Sequence, residues 1–173
     1  EGASSVPASQ EQIRQFIKLS DGDFYEAMRS LNQELSFSTA QSIFQTNNLE
    51  FAESKYFALG LRNIKDNQFT NLALLISEQC LHSIKVAVFE DNENTKFQAH
   101  REFTGSIFQQ LENAFAFLML CNQNPSNFSG LTRNDNWDYP EAAIREALLN
   151  AIIHRDYSYS GSIIINVNKQ AIE

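Results

Sequence analysis

The feature that most constrains the fold is a helix with one polar line that is followed by a β-branched strand. The helix is predicted over 142–154 and the strand over Ile163–Val167. At about 100° per residue, Glu146, Asn150 and His154 fall within about 80° of one another on one side of this helix. Small side chains, mostly alanines, lie between or beside them. Such a face lets a ligand approach the backbone, and its polar line can hold a metal ion and a water.

If a nucleotide binds at this face, the residue types suggest roles. Asn150 can offer its amide oxygen to Mg²⁺, which prefers oxygen ligands. Glu146, one turn earlier, can orient or deprotonate a water that is aimed at the terminal phosphate. The alternative is an ordinary amphipathic helix whose polar side faces solvent. Spacing alone favours this second interpretation, because a Glu and an Asn four residues apart are common.

The same helix carries signals at its two ends. Asp138 and Glu141 have the spacing of a capping box, and Pro140 fits the first helical turn. Tyr139 is the alternative cap, because the residue before a proline is steered away from helical angles. Arg155 and Asp156 are expected to end the helix and fix the turn that follows.

The rest of the chain predicts an α+β fold in which helices dominate. One β-branched strand is predicted at Ile84–Phe89. Hydrophobic periodicity and caps at Ser9 and Thr70 predict helices at 11–17, 39–44, 53–61, 69–80 and 104–121. Helices with a strand behind them suggest a winged-helix-like unit across 39–103. The apolar helix 104–121 is interpreted as core, with a subunit contact as the alternative.

Charge and cysteine content limit the classes of function. The 173 residues carry 13 basic and 21 acidic side chains, a net charge of −8, so this stretch is not expected to bind phosphate backbones generally. Cys80 and Cys121 do not make a disulfide framework, which favours a reducing, cytoplasmic setting. No window has the ~20 apolar residues of a membrane span, and the first residues do not resemble a signal peptide.

Residues 139–162 resemble a known bacterial family. The string from Glu146 to Ser158, EALLNAIIHRDYS, together with the preceding YPEAAIR, is similar to the start of an ATPase-like module in transcriptional regulators related to the ATP-dependent DNA helicase RecG. Residues 1–14 resemble the tail of the Schlafen/AlbA-type DNA-binding domain that precedes this module. Segments between 59 and 105 resemble the family's middle region.

The resemblance implies a division of the chain and a site. Residues 1–18 would be the tail of the DNA-binding domain and a linker helix, 19–121 the helix-rich middle region, 122–138 a linker loop, and 139–173 the opening helix and strand of a histidine-kinase-like ATPase α/β sandwich.

In that module the stretch from Glu146 to Asn150 would correspond to the N-box. This implies Mg²⁺ on Asn150, a water-activating role for Glu146, and a position near the nucleotide for His154. ATP and Mg²⁺ are expected as ligands of the full-length parent, and DNA as a partner through the N-terminal domain.

The departures from the family pattern shape the remaining expectations. The chain reaches Glu173 without the aspartate-glycine box or the Gly-rich lid that closes over the nucleotide. We therefore expect this piece neither to hydrolyse ATP efficiently nor to bind DNA by itself, whereas the parent would be at most a weak ATPase. Two alternatives are a non-catalytic scaffold that dimerises through helix 104–121 and a nucleic-acid-processing enzyme.

Overall fold

The computed structural model describes residues 7–21, 24–122, 127–129, 132–134 and 138–173. Over these residues the chain folds as a mixed α+β structure. The helices are α1 (Gln10–Asp21), α2 (Ser38–Thr46), α3 (Asn71–Ile76), α4 (Ile107–Cys121) and α5 (Glu141–Ile153). The strands are β1 (Ile84–Phe89), β2 (Phe97–Phe103), β3 (Asn127–Ser129), β4 (Thr132–Asn134) and β5 (Ile163–Val167).

A three-stranded mixed sheet in the order β2-β1-β5 organises the part of the molecule that carries α5. β1 and β2 form an antiparallel hairpin in which Ile84 pairs with Phe103. On its other edge β1 pairs in parallel with β5, so that Ile84 also lies opposite Ile163. β3 and β4 pair antiparallel in a separate two-stranded sheet.

One hydrophobic core joins this sheet to α4 and α5. Its buried members come from two strands and two helices: Ile84, Val86, Ala114, Leu118, Ile144, Leu148, Ile152, Ile165 and Val167. The core therefore spans the boundary predicted at 122–138, because β1 and α4 lie before it and α5 and β5 after it. The apolar side of α4 packs in this core, which confirms the interpretation of 104–121 as core.

A second hydrophobic cluster lies in the helical part that precedes the sheet. Its buried members are Ala40, Tyr56, Leu61, Phe69, Ala73 and Ile76. Phe37 sits among three aromatic rings there, with centroids 5.5 to 5.8 Å away. Ile107 and Phe108, at the start of α4, also pack on this cluster. α4 therefore contacts both clusters.

Two predicted helices are much shorter than the sequence suggested. The one predicted at 69–80 is α3, which ends at Ile76 because the Ser77 hydroxyl donates to the Leu74 carbonyl (2.8 Å) and the backbone turns extended. The one predicted at 53–61 is a single 3-10 turn at Glu53–Lys55, followed by turns up to Gly60, which has a φ of +72°.

Other local predictions are confirmed. Both predicted strands have the bounds that the structure shows, and Thr70 caps α3 by accepting from the Ala73 amide. Ser9 and Gln12 form a reciprocal capping box at the start of α1, with distances of 2.9 and 3.2 Å. The winged-helix-like unit at 39–103 stays a prediction. Its strand β1 pairs on the second edge with β5, which lies outside that range. In the described part of the chain, no helix has the length and apolar character needed to cross a membrane.

Candidate functional site

α5 divides its surface between the core and solvent. Ile144, Leu148 and Ile152 are buried against the sheet and α4. Glu146, Asn150 and His154, the residues predicted to form a polar line, are all exposed. The line therefore lies on the accessible side of the helix, where a ligand can reach it.

Two of the three polar residues contact each other. The Asn150 side-chain amide donates to Glu146 Oε1 over 3.4 Å, as expected for residues one helical turn apart. His154 is the C-cap of α5, and its backbone amide donates to the Asn150 carbonyl (3.0 Å). The described residues contain no cluster of three or more His, Cys, Asp or Glu side chains that would hold a metal by themselves. A cation bound here would thus need ligands from a bound molecule or water.

An apolar groove of about 290 Å³ lies between α5 and β5, and we call it the α5–β5 groove. Small alanines of α5 form one wall and isoleucines of β5 form the other. Its lining comprises Leu118, Tyr139, Ala143, Ile144, Ala147, Leu148, Ala151, Ile163, Ile164, Ile165, Ile172 and Glu173. The polar line does not itself line the groove; it lies next to the alanine wall on the same helix.

The last residues of the chain border the groove at the end of β5. Asn166 and Glu173 exchange both backbone hydrogen bonds at 2.9 Å, and Val167 pairs with Ile172. The Asn168 side chain accepts from the Gln170 and Ala171 amides, which shapes the turn between the paired segments.

The start of α5 differs from its prediction. The N-cap is Pro140 and not Asp138, so Asp138 and Glu141 do not occupy the positions of a capping box and that prediction is wrong. The chain is instead held by Asn122, at the end of α4. This buried side chain accepts from the Tyr139 amide (2.9 Å) and donates to the Tyr139 carbonyl (2.8 Å).

Side chains of the loop after α5 hydrogen-bond to the backbone of the loop and of the helix end. Arg155 donates to the carbonyls of Tyr159 and Gly161, and the Tyr157 hydroxyl donates to the Ile152 carbonyl (2.9 Å). Asp156 accepts from the Ser158 amide (2.9 Å). These contacts confirm that Arg155 and Asp156 fix the turn after the helix.

The loop also contacts His82, which precedes β1. Arg155 Nη2 lies 3.2 Å from His82 Nδ1, and the His82 ring meets Tyr157 edge-on with centroids 5.1 Å apart. Residues 82 and 155 are distant in sequence, and no local pattern signals this pairing.

Burial governs the ionisation of the groups around this contact. Burial, reinforced by the Arg155 charge, lowers the pKa of His82 below its ordinary value. Burial raises the pKa of the Cys80 thiol, and raises that of Tyr157 to about 12. Cys80 is therefore a poor nucleophile at neutral pH, since the thiolate is the reactive form.

Comparisons with known proteins establish the fold alone. No protein-family model and no curated protein sequence matches the chain. Among solved structures, the chain is similar to the crystal structure of the DIP2311 protein from Corynebacterium diphtheriae, with a TM-score of 0.65 and 17% sequence identity. That similarity covers 94% of this chain and 34% of the other, so this chain spans about a third of its length.

Proposed function

We propose that this chain contributes the Mg²⁺- and nucleotide-binding helix of an ATPase-like module to a DNA-linked transcriptional regulator. The observation that carries the proposal is that α5 presents an exposed carboxylate–amide pair directly beside an apolar groove. A nucleotide needs both environments, one for its phosphates and cation and one for its base. The resemblance of residues 139–162 to the family supports the same role.

The phosphate end of the nucleotide would meet Glu146 and Asn150. Because the Asn150 amide nitrogen is engaged by Glu146, its oxygen is the atom presented to a ligand. Mg²⁺ accepts such an oxygen while it keeps waters and phosphate oxygens as its other ligands. Glu146 would then orient or deprotonate the attacking water. His154, one turn further on, would lie near the nucleotide.

The base would enter the α5–β5 groove. The alanine wall lets a flat ring approach the helix closely, and the isoleucines of β5 supply apolar contact on the opposite side. The volume of about 290 Å³ is at the lower bound of small-molecule pockets, roughly 300 Å³, so it suits a part of a nucleotide rather than the whole.

The regulatory setting of this helix rests on the resemblance. The winged-helix-like unit at 39–103, the ATPase-like α/β sandwich from 139 onward and the cytoplasmic location belong to this proposal. DNA would be bound through a Schlafen/AlbA-type domain that precedes residues 1–18. The net charge of −8 supports placing the DNA contact outside this stretch.

The test is the binding of a fluorescent ATP analogue, with Mg²⁺, to the full-length protein. Asn150→Ala should weaken binding by about tenfold or more, since a hydrogen bond or ligand contact to a charged group contributes roughly 1.5–3 kcal/mol. Glu146→Gln should still bind the analogue but slow any hydrolysis by about 10²- to 10⁴-fold, the usual contribution of a general base.

Matched controls separate the site from general effects on the fold. Asn113→Ala, on the exposed side of α4, and Glu141→Gln, in the first turn of α5, should leave binding unchanged. Equal binding by the wild type and Asn150→Ala, or no binding by any of them, would refute the assignment. The polar line would then be a solvent-facing helix side.

A further inference from the structure

We infer that His82 and Arg155 form a pH-sensitive latch that holds the loop after α5 against the segment before β1. The latch is closed while His82 is neutral and opens when its imidazole is protonated. This device is independent of nucleotide binding, because it rests on contacts of the loop 155–162 and not on Glu146 or Asn150.

A protonated His82 ring would face a second cation at close range. Arg155 Nη2 lies 3.2 Å from His82 Nδ1. The guanidinium stays charged at every pH at which an imidazole titrates, so protonation of His82 would place two positive charges in contact. The neutral imidazole avoids that repulsion and is the form that keeps the loop in place.

The surroundings of His82 favour its neutral form. Among the described residues, the titratable or charged groups that face it are Arg155 and Tyr157 from the loop, Tyr25 from the 3-10 turn at Tyr25–Ala27, and Cys80 on its own segment. From α4 the uncharged Gln110 side chain donates to the His82 carbonyl (2.8 Å). The Gly161 carbonyl is the contact that favours the protonated imidazole. Burial and the guanidinium oppose it and lower the pKa of His82.

The latch lies next to the first hydrogen bond between β1 and β5. Next to His82, the Ser83 carbonyl accepts from the Ile163 amide (3.0 Å), the contact at which β5 begins its pairing with β1. The Ser83 hydroxyl also contacts the Ser162 hydroxyl at 2.9 Å. Opening the latch should therefore loosen the loop and the first rung of β5 together.

The test combines NMR titration of the histidine rings with amide hydrogen exchange on the 173-residue chain. In the wild type, His82 should titrate below pH 6.5. Over the same pH range the protection of the Ile163 amide, corrected for the intrinsic exchange rate, should fall by about tenfold for each unit by which the pKa is lowered. In Arg155→Gln the His82 pKa should rise toward its ordinary value, and in His82→Asn the pH dependence of Ile163 protection should disappear.

Two matched substitutions serve as controls. Arg145→Gln removes an exposed arginine from α5, and His100→Asn removes an exposed histidine from β2. Neither should change the His82 titration or the Ile163 protection. The latch is refuted if Ile163 protection stays flat through the His82 titration in the wild type, a result that needs no variant to fold. It is also refuted if Arg155→Gln leaves the His82 pKa unchanged.

Discussion

The carboxylate of Glu78 shows how a single side chain places a helix from a distance in sequence. Glu78 Oε1 accepts from the Thr39 amide (2.8 Å) and the Ser38 hydroxyl (2.9 Å), at the start of α2. Burial alone would raise the pKa of Glu78, but these hydrogen bonds to the charged form outweigh it and lower the pKa to about 2. A negative charge also interacts favourably with a helix N-terminus. Glu78 thus caps α2 from outside the helix.

At the scale of this residue we predict that Glu78→Ala lowers the free energy of unfolding by about 1–2 kcal/mol at pH 7, the range for losing a helix cap. Because the folded-state pKa lies below the ordinary value of 4.5, this stabilisation is present above about pH 4.5 and is lost as the pH falls toward 2. Urea unfolding across that range measures it. Glu93→Ala, at an exposed loop position, should have little effect; an equal loss in both variants would contradict the capping role.

At the scale of elements, the junction between α4 and α5 depends on Asn122. Its side chain is 2% exposed and bonds both the amide and the carbonyl of Tyr139. The Tyr139 hydroxyl in turn donates to the Gln170 carbonyl (2.7 Å), beyond β5. These contacts set where α5 begins, and with it the position of the polar line.

We expect Asn122→Ala to destabilise the protein by about 2 kcal/mol, because it leaves two backbone groups of Tyr139 without their partner. Urea or thermal unfolding measures this loss. Asn113→Ala, the exposed position on α4, is the comparison and should change stability by less than about 0.5 kcal/mol. If the two substitutions cost the same, Asn122 does not hold the junction.

At the scale of the whole molecule, the shared core makes α5 a structural part of the region that precedes it. α5 packs on α4, and β5 completes the edge of a sheet whose central strand is β1. The helix that carries the candidate site cannot therefore shift without disturbing the core. A ligand that moves α5 would therefore also displace α4. α4 in turn contacts the helical cluster through Ile107 and Phe108.

This arrangement predicts that alanine substitutions at two aliphatic positions of α5 lower the free energy of unfolding by different amounts. Leu148→Ala should lower the free energy of unfolding by about 2–5 kcal/mol, because it opens a cavity in the core. Ile153→Ala, at a side chain that is 67% exposed, should cost much less. Chemical denaturation of both variants gives the comparison. Similar values would mean that α5 is not packed as the structure has it.

Local patterns in the sequence were sufficient to predict the strands Ile84–Phe89 and Ile163–Val167 and the caps at Ser9 and Thr70. They also predicted the polar line of Glu146, Asn150 and His154, which the structure shows to be exposed. Each of these depends on residues within a few positions of one another, where periodicity and side-chain-to-backbone hydrogen bonds act directly. The turn fixed by Arg155 and Asp156 belongs to the same class.

Tertiary contacts decided the remaining features. The predicted helix at 69–80 stops at Ile76 because Ser77 bonds the Leu74 carbonyl, while Glu78 and Gln79 reach back to residues 36–39. The N-cap of α5 is Pro140 and not the predicted Asp138, and Asn122 holds Tyr139 from another helix. The parallel pairing of β1 with β5, the α5–β5 groove and the contact of His82 with Arg155 all join residues distant in sequence. No local pattern encodes such contacts, since the residues that make them come together only when the whole chain folds.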